Sequence, residues 1–175
     1  ACINGSCGNA ITVSGNAYEN DTSTVFSSCN GLTTMIALRV GSSTYGPVVC
    51  SASDGSFTIS SVSVPSAGTA IVIWIDGVAN KFGSNVNRYA GSGNVTGIAV
   101  RRNRVIVQHD NSGPVTNANM DTWDNGNDTD INYVVDNGNL TVESGSKLII
   151  NTDDTFTPGG TVTLTDGGAD PSGDL

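Results

Sequence analysis

An all-β fold is predicted for this chain of 175 residues, laid out as a β-sandwich over 9–99 and a smaller β-rich region over 100–166. Three observations predict it. Glycine is frequent at 22 residues, while Lys and Glu number two each, so turn formers abound and charged helix formers are scarce. Short runs of β-branched and aromatic residues recur roughly every 10–14 residues between Gly, Asp, Asn and Pro, as a sandwich requires. Nowhere does an i, i+3, i+4, i+7 apolar spacing persist for three helical turns.

The elements follow in order. Residues 1–8 read as a turn bounded by Cys2 and Cys7, and Ala10–Tyr18 as the first strand. Strands are expected at Thr33–Val40, Thr44–Cys50, Ser56–Val62 and Thr69–Ile75. Gly41-Ser42, Asp54-Gly55, Pro65-Ser66-Ala67-Gly68 and Asp76-Gly77 separate or end them. The five apolar residues Ile71–Ile75 suit a strand buried on both faces, or one with a face covered by a neighbouring region. Lys81–Tyr89 and Asn94–Val100 add one or two edge strands. Beyond them, Arg104–Gln108, Val115–Ala118, Ile131–Val135, Leu140–Val142, Lys147–Ile150 and Thr161–Leu164 are short apolar patches, too irregularly spaced to prove a solenoid repeat. The tail 167–175 is expected to be mobile.

Four segments carry a resemblance: Val13-Ser14-Gly15-Asn16-Ala17-Tyr18-Glu19-Asn20-Asp21, Met35-Ile36-Ala37-Leu38-Arg39-Val40-Gly41, Asp54-Gly55-Ser56-Phe57-Thr58-Ile59 leading to Val62, and Ile71-Val72-Ile73-Trp74-Ile75-Asp76-Gly77. Their order resembles the carboxypeptidase-regulatory-like and Cna-B-like modules of secreted bacterial surface proteins. The resemblance spans roughly 10–77 and implies an immunoglobulin/transthyretin-like sandwich that serves as a spacer, stalk or fibre unit. One departure is plain. Cna-B-like modules often cross-link an early-strand Lys to a late-strand Asn, and no Lys precedes Lys81 here. The segment 139–150 also looks like rungs of the Gly- and Thr-rich β-structures of bacterial surface proteins.

The net charge of −9 is unevenly spread. Residues 1–99 hold four acids and three bases, and residues 100–175 hold 12 acids and four bases. A phosphate backbone is repelled by that second part, so no nucleic-acid partner is expected. No apolar run of 18 residues occurs, so no membrane insertion is expected.

All four cysteines, Cys2, Cys7, Cys29 and Cys50, lie in the first 50 residues. A zinc site is the alternative to disulfides, but no C-x-x-C pair exists and the lone His109 is distant. Two disulfides suit an extracellular or cell-surface protein. Cys29 precedes one predicted strand and Cys50 ends the next, so antiparallel pairing would join Cys29 to Cys50 and leave Cys2 with Cys7.

Asp121–Asp130 is the densest acidic segment. Oxygen ligands two residues apart with a sharp Gly turn suit calcium, and Asp121, Asp124, Asn125, Asn127, Asp128 and Asp130 are the candidate ligands. No Glu follows at an EF-hand position, and a solvated acidic loop is the competing reading. His109-Asp110 is the one place where a His adjoins a carboxylate, but no G-x-S-x-G motif is present, so no catalysis is expected. Arg101-Arg102-Asn103-Arg104 either pairs with acidic loops or forms a solvated, protective strand edge. Glycan candidates are Asn4, Asn20, Asn94, Asn127 and Asn139.

The resulting expectation is a cell-surface or fibre subunit or adhesin segment. Its partners would be copies of itself, joined head to tail through strand edges. The assembly candidates are Ile11 and Val13 near one end and Val162 and Leu164 near the other. The alternative is a carbohydrate-binding module that stacks surface glycans on Trp74, Trp123 or a tyrosine.

Overall fold

The computed structural model describes residues 10–21, 23–109 and 112–165. Within them the chain is almost wholly β. Twelve strands run in sequence: β1 (Ala10–Tyr18), β2 (Thr34–Val40), β3 (Ser43–Val49), β4 (Ser56–Ser63), β5 (Ala70–Ile75), β6 (Ser84–Arg88), β7 (Val95–Arg101), β8 (Arg104–Val107), β9 (Tyr133–Asp136), β10 (Asn139–Val142), β11 (Lys147–Ile150) and β12 (Val162–Leu164). One short helix, α1 (Asn117–Met120), lies between β8 and β9. Thr116 caps it, accepting from Asn119 N–H, while the Asn119 side chain accepts from Thr116 N–H. The patch expected at Val115–Ala118 is therefore a single β-bridge at Val115 followed by this helix.

Three sheets form. The largest has the order β11-β8-β6-β5-β2-β3, and the others are β4-β1-β7 and β12-β10-β9. Side chains alternate across a strand, so a strand with apolar residues at every position can serve two cores. β5 does this: Ile71, Ile73 and Ile75 join one apolar cluster with Val13, Phe57, Ile59 and Ile98 of the β4-β1-β7 sheet. Val72 and Trp74 join a second cluster with Met120, Tyr133, Leu140 and Val142 on its other side. The six-stranded sheet is thus the middle of three layers.

Neighbours β2, β3, β5 and β6 pair antiparallel, as do β1 with β4 and β9 with β10. By contrast β1/β7, β6/β8, β8/β11 and β10/β12 are parallel. Parallel neighbours need a crossover. The chain supplies it by changing layers: β7 of the first small sheet lies between β6 and β8, and β9 and β10 of the other lie between β8 and β11. At the parallel β1/β7 contact, a Cβ on Gly15 would run into the Ile98 carbonyl, so only glycine permits that approach.

This winding corrects the domain boundary expected at 99/100. It falls inside β7, and β8 and β11 complete the same sheet as β2, β3, β5 and β6. Local patterns could not show it, because the pairing of β6 with β8 and of β8 with β11 joins segments far apart in sequence. The turn at 1–8 and the tail at 167–175 lie outside the described residues.

Cys29 and Cys50 are disulfide-bonded with Cα atoms 5.0 Å apart. They close the open end of the β2–β3 hairpin and are buried in the first core. A loop of 21 residues so closed is worth about 3 kcal/mol of stability. Among the described residues, no helix is long and apolar enough to cross a membrane.

Candidate functional site

The acidic segment is a folded loop held by one buried carboxylate. Asp124 Oδ1 accepts from Gly126 N–H at 3.0 Å and Oδ2 from Val135 N–H at 2.7 Å. Its main-chain carbonyl accepts from Asn127 and Asp128 N–H. Asn127 Oδ1 accepts in turn from Asp124 N–H, and Asn125 Nδ2 donates to the Ile131 carbonyl. Tyr133, also buried, donates its hydroxyl to the Trp123 carbonyl at 2.8 Å. Burial, and then the Asp124 charge, push the Tyr133 phenol well above its ordinary range.

The six predicted calcium ligands are therefore divided. Asp124 and Asn127 spend side-chain oxygens on main-chain N–H groups, Asn125 braces the loop, and Asp121 stands outside the carboxylate cluster. Only Asp128 and Asp130 converge, and they converge on Asp76, which the sequence reading missed. One carboxylate oxygen from each of the three lies within 4.8 Å of the others. Asp130 Oδ2 accepts from Gly77 N–H at 2.6 Å and so ties the loop to the turn after β5. Asp128 Oδ1 accepts from Asp130 N–H. Burial, and next the Asp128 and Asp130 charges, raise the Asp76 pKa above its ordinary 3.8. The Trp74 indole offsets this in part without forming a well-aligned hydrogen bond. Three convergent oxygens make up part of the six to eight that calcium takes. A carboxylate ending an apolar run, as Asp76 ends Ile71–Ile75, is the one sequence signal that pointed here.

Above this cluster the two tryptophans meet with ring centroids 6.3 Å apart. Trp74 is buried. Trp123 is partly buried, and the Arg39 guanidinium lies 4.2 Å over its ring. Arg39 is itself fixed to the Gly41 carbonyl and Thr44 hydroxyl. One face of Trp123 is thus already engaged by a cation, and the Trp74 ring is closed to solvent.

The other predicted residues separate. Ile11 and Val13 are buried in β1, whose two edges are taken by β4 and β7, so they cannot present an open edge. Val162 and Leu164 lie on β12, which among the described residues pairs on one side only, with β10. Asn20, Asn94, Asn127 and Asn139 are exposed. Asn94 and Asn139 use their carbonyl oxygens on Thr12 and Thr161 N–H. Asn4, Cys2, Cys7 and Asp110 lie outside the described residues. The basic run forms the β7–β8 corner, where Arg102 pairs with Glu19 at 3.4 Å rather than with the acidic loop. Burial of Glu19 opposes ionisation, but hydrogen bonds from Ser27 and Arg102 outweigh it and lower the pKa.

No family model, curated protein or solved structure matches this chain.

Proposed function

We propose that the protein is a structural module of an extracellular surface or fibre, and that it self-associates by strand addition. One observation carries the reading. Among the described residues, the unlike strands β11 and β12 each have a partner on one side only and each end in an exposed aliphatic, Ile150 at 43% and Leu164 at 41%; the edge strand β3 also ends in one, Val49 at 38%. An open edge is a template for another chain's strand, and two unlike edges favour a heterologous, head-to-tail contact. The opposite edge of the six-stranded sheet, β3, is a poorer template: it carries Pro47 and two register shifts. The Cys29–Cys50 disulfide supports an oxidising location.

Sedimentation velocity and negative-stain imaging across a concentration series test this. Polymers that grow with concentration are expected, and Ile150→Lys or Leu164→Lys should return monomers with an unchanged circular dichroism spectrum. Ile150 and Leu164 are exposed, so neither change should cost much stability. A wild-type chain that stays monomeric at every concentration overturns the reading. Retention of that monomer on a glycan array would favour carbohydrate binding instead.

A further inference from the structure

The tetrapeptide Asp-Asn-Gly-Asn occurs twice, at 124–127 and at 136–139. An Asn-Gly pair carries chemistry of its own. The main-chain nitrogen of the glycine can attack the side-chain carbonyl carbon of the asparagine, and glycine lacks the Cβ that would shield that nitrogen. Two copies of one tetrapeptide bring the same local reactivity, so a difference between them comes from the fold. Asn30-Gly31 is a further such pair, and Asn4-Gly5 lies outside the described residues.

In the first copy the fold blocks the attack. Gly126 N–H donates to the buried Asp124 carboxylate at 3.0 Å, and a Cβ on Gly126 would stand 3.1 Å from the same oxygen. Asn125 is held at both ends: its main-chain N–H donates to the Tyr133 carbonyl and its Nδ2 to the Ile131 carbonyl at 2.8 Å. In the pair at 30–31, Gly31 N–H donates to the Cys50 carbonyl at 2.9 Å, and Asn30 Oδ1 accepts from Leu32 and Thr33 N–H. The second copy differs on each count. Asn137 and Gly138 form the two-residue turn between β9 and β10, with φ of 50° and 78°. Both are exposed. Among the described residues no acceptor meets Gly138 N–H, and nothing lies within 4 Å of the place a Cβ would take. Asn137 Nδ2 donates to the exposed Asp136 carboxylate at 3.0 Å. Such a tip can rotate by local opening, without uncovering either core.

From this contrast we infer that Asn137 is a self-modification site, which reacts with Gly138 and then with water, while Asn125 in the same tetrapeptide is preserved. The Gly138 nitrogen loses its proton to hydroxide and bonds to Asn137 Cγ. The Cγ–Nδ2 bond breaks, and the nitrogen takes up a proton and leaves as ammonia. Water then opens the succinimide ring at either carbonyl. Breaking the new bond from Cγ to nitrogen gives aspartate. Breaking the original peptide bond gives isoaspartate, whose main chain runs through the side chain and is longer by a methylene. Water is the only co-reactant, and either product carries an added negative charge. The longer chain of the isoaspartyl form moves the Gly138 carbonyl, which accepts from Asn117 Nδ2 at 2.8 Å. The same Nδ2 donates to the Thr161 carbonyl just before β12, so the change bears on how that strand is seated.

The test keeps the full chain at mildly alkaline pH in water enriched in oxygen-18, with and without urea. Oxygen-18 marks only the residues converted during the incubation. Chymotryptic cleavage after Tyr133 then puts the two tetrapeptides in separate peptides for mass spectrometry. In the folded chain Asn137 should convert at least about tenfold faster than Asn125 or Asn30, since each of those must first break a glycine N–H hydrogen bond. In urea, Asn125 and Asn137 should convert at comparable rates. Electron-transfer fragmentation should find isoaspartate beside aspartate at position 137, which direct hydrolysis of the side-chain amide cannot produce. Asn125 converting as fast as Asn137 in the folded chain overturns the assignment. So does a disparity that persists undiminished in urea, because the fold is then not its cause. Aspartate without isoaspartate, or no conversion of Asn137 in the folded chain, also overturns it.

Discussion

The two faces of the middle sheet are covered by different means. Toward β4-β1-β7 the cover is built from strands of seven to nine residues, alternating apolar side chains and a disulfide. Toward β12-β10-β9 the strands have three or four residues, and side-chain amides and carboxylates tie loops in place. Asn117 Nδ2 bonds the Gly138 and Thr161 carbonyls, Asn132 bridges Ser84 and Ser146, and Asp124 gathers Gly126 and Val135. Long strands satisfy their own main chain through ladders. Short ones leave N–H and carbonyl groups that side chains must meet. The Asn- and Asp-rich composition of the second part is thereby a structural requirement, beyond solubility.

The largest expected effect breaks the second face. Trp74→Ala removes its largest buried ring and should cost about 4 kcal/mol, read from urea unfolding. Hydrogen exchange should accelerate first in β9 and β10, while β1 and β4 keep their protection. Equal acceleration on both sides would mean that the two covers unfold as one. Next comes the staple of the first face. Replacing Cys29 and Cys50 together by Ala should cost about 3 kcal/mol, again from urea unfolding. Asp124→Asn should cost about 2 kcal/mol, because an amide cannot accept from both Gly126 and Val135. Its signature is faster exchange at Gly126 and Val135 with the disulfide-bearing hairpin unaffected.

The smallest effect sharpens the comparison where the two parts touch. The folded state raises the Asp76 pKa, so it binds this proton more tightly than the unfolded chain. Stability contributed here is present below the ordinary 3.8 and is lost as pH rises through the folded value. At neutral pH the penalty is complete, and Asp76→Asn should raise the melting temperature slightly in the presence of chelator. Millimolar calcium should reverse the order, raising the melting temperature of the wild type and not of Asp76→Asn. Identical wild-type melts in calcium and chelator would leave the three carboxylates as a repulsive cluster only.

The strands were largely legible. Ala10–Tyr18 and Lys147–Ile150 match the expected limits, and the five apolar residues Ile71–Ile75 did mark a strand buried on both faces. Alternation and turn residues are local, so a local reading finds them. Partners across the fold are not local. Nothing near Asp76 announces Asp130, and nothing in Arg104–Val107 announces β6 as its neighbour. α1 is too short to leave a helical period, and its cap uses Asn119 where Glu or Gln gives the recognisable signature. β6 misleads for another reason: Ser-Asn-Val-Asn-Arg reads as a wet edge, whereas it is a central strand with buried amides.

The route of β6, β7 and β8 through two layers bears on how such a protein is inherited. A module whose sheet closes within a short stretch can be duplicated, trimmed or fused at its ends. Here the sheet begun by β2 is finished only by β11, more than a hundred residues later. A gene break at residue 99 would divide a strand and strip β6 of the neighbour that satisfies its outer edge. The smallest heritable cassette therefore runs from β1 to β12, and any tandem array built from it must step by that whole length.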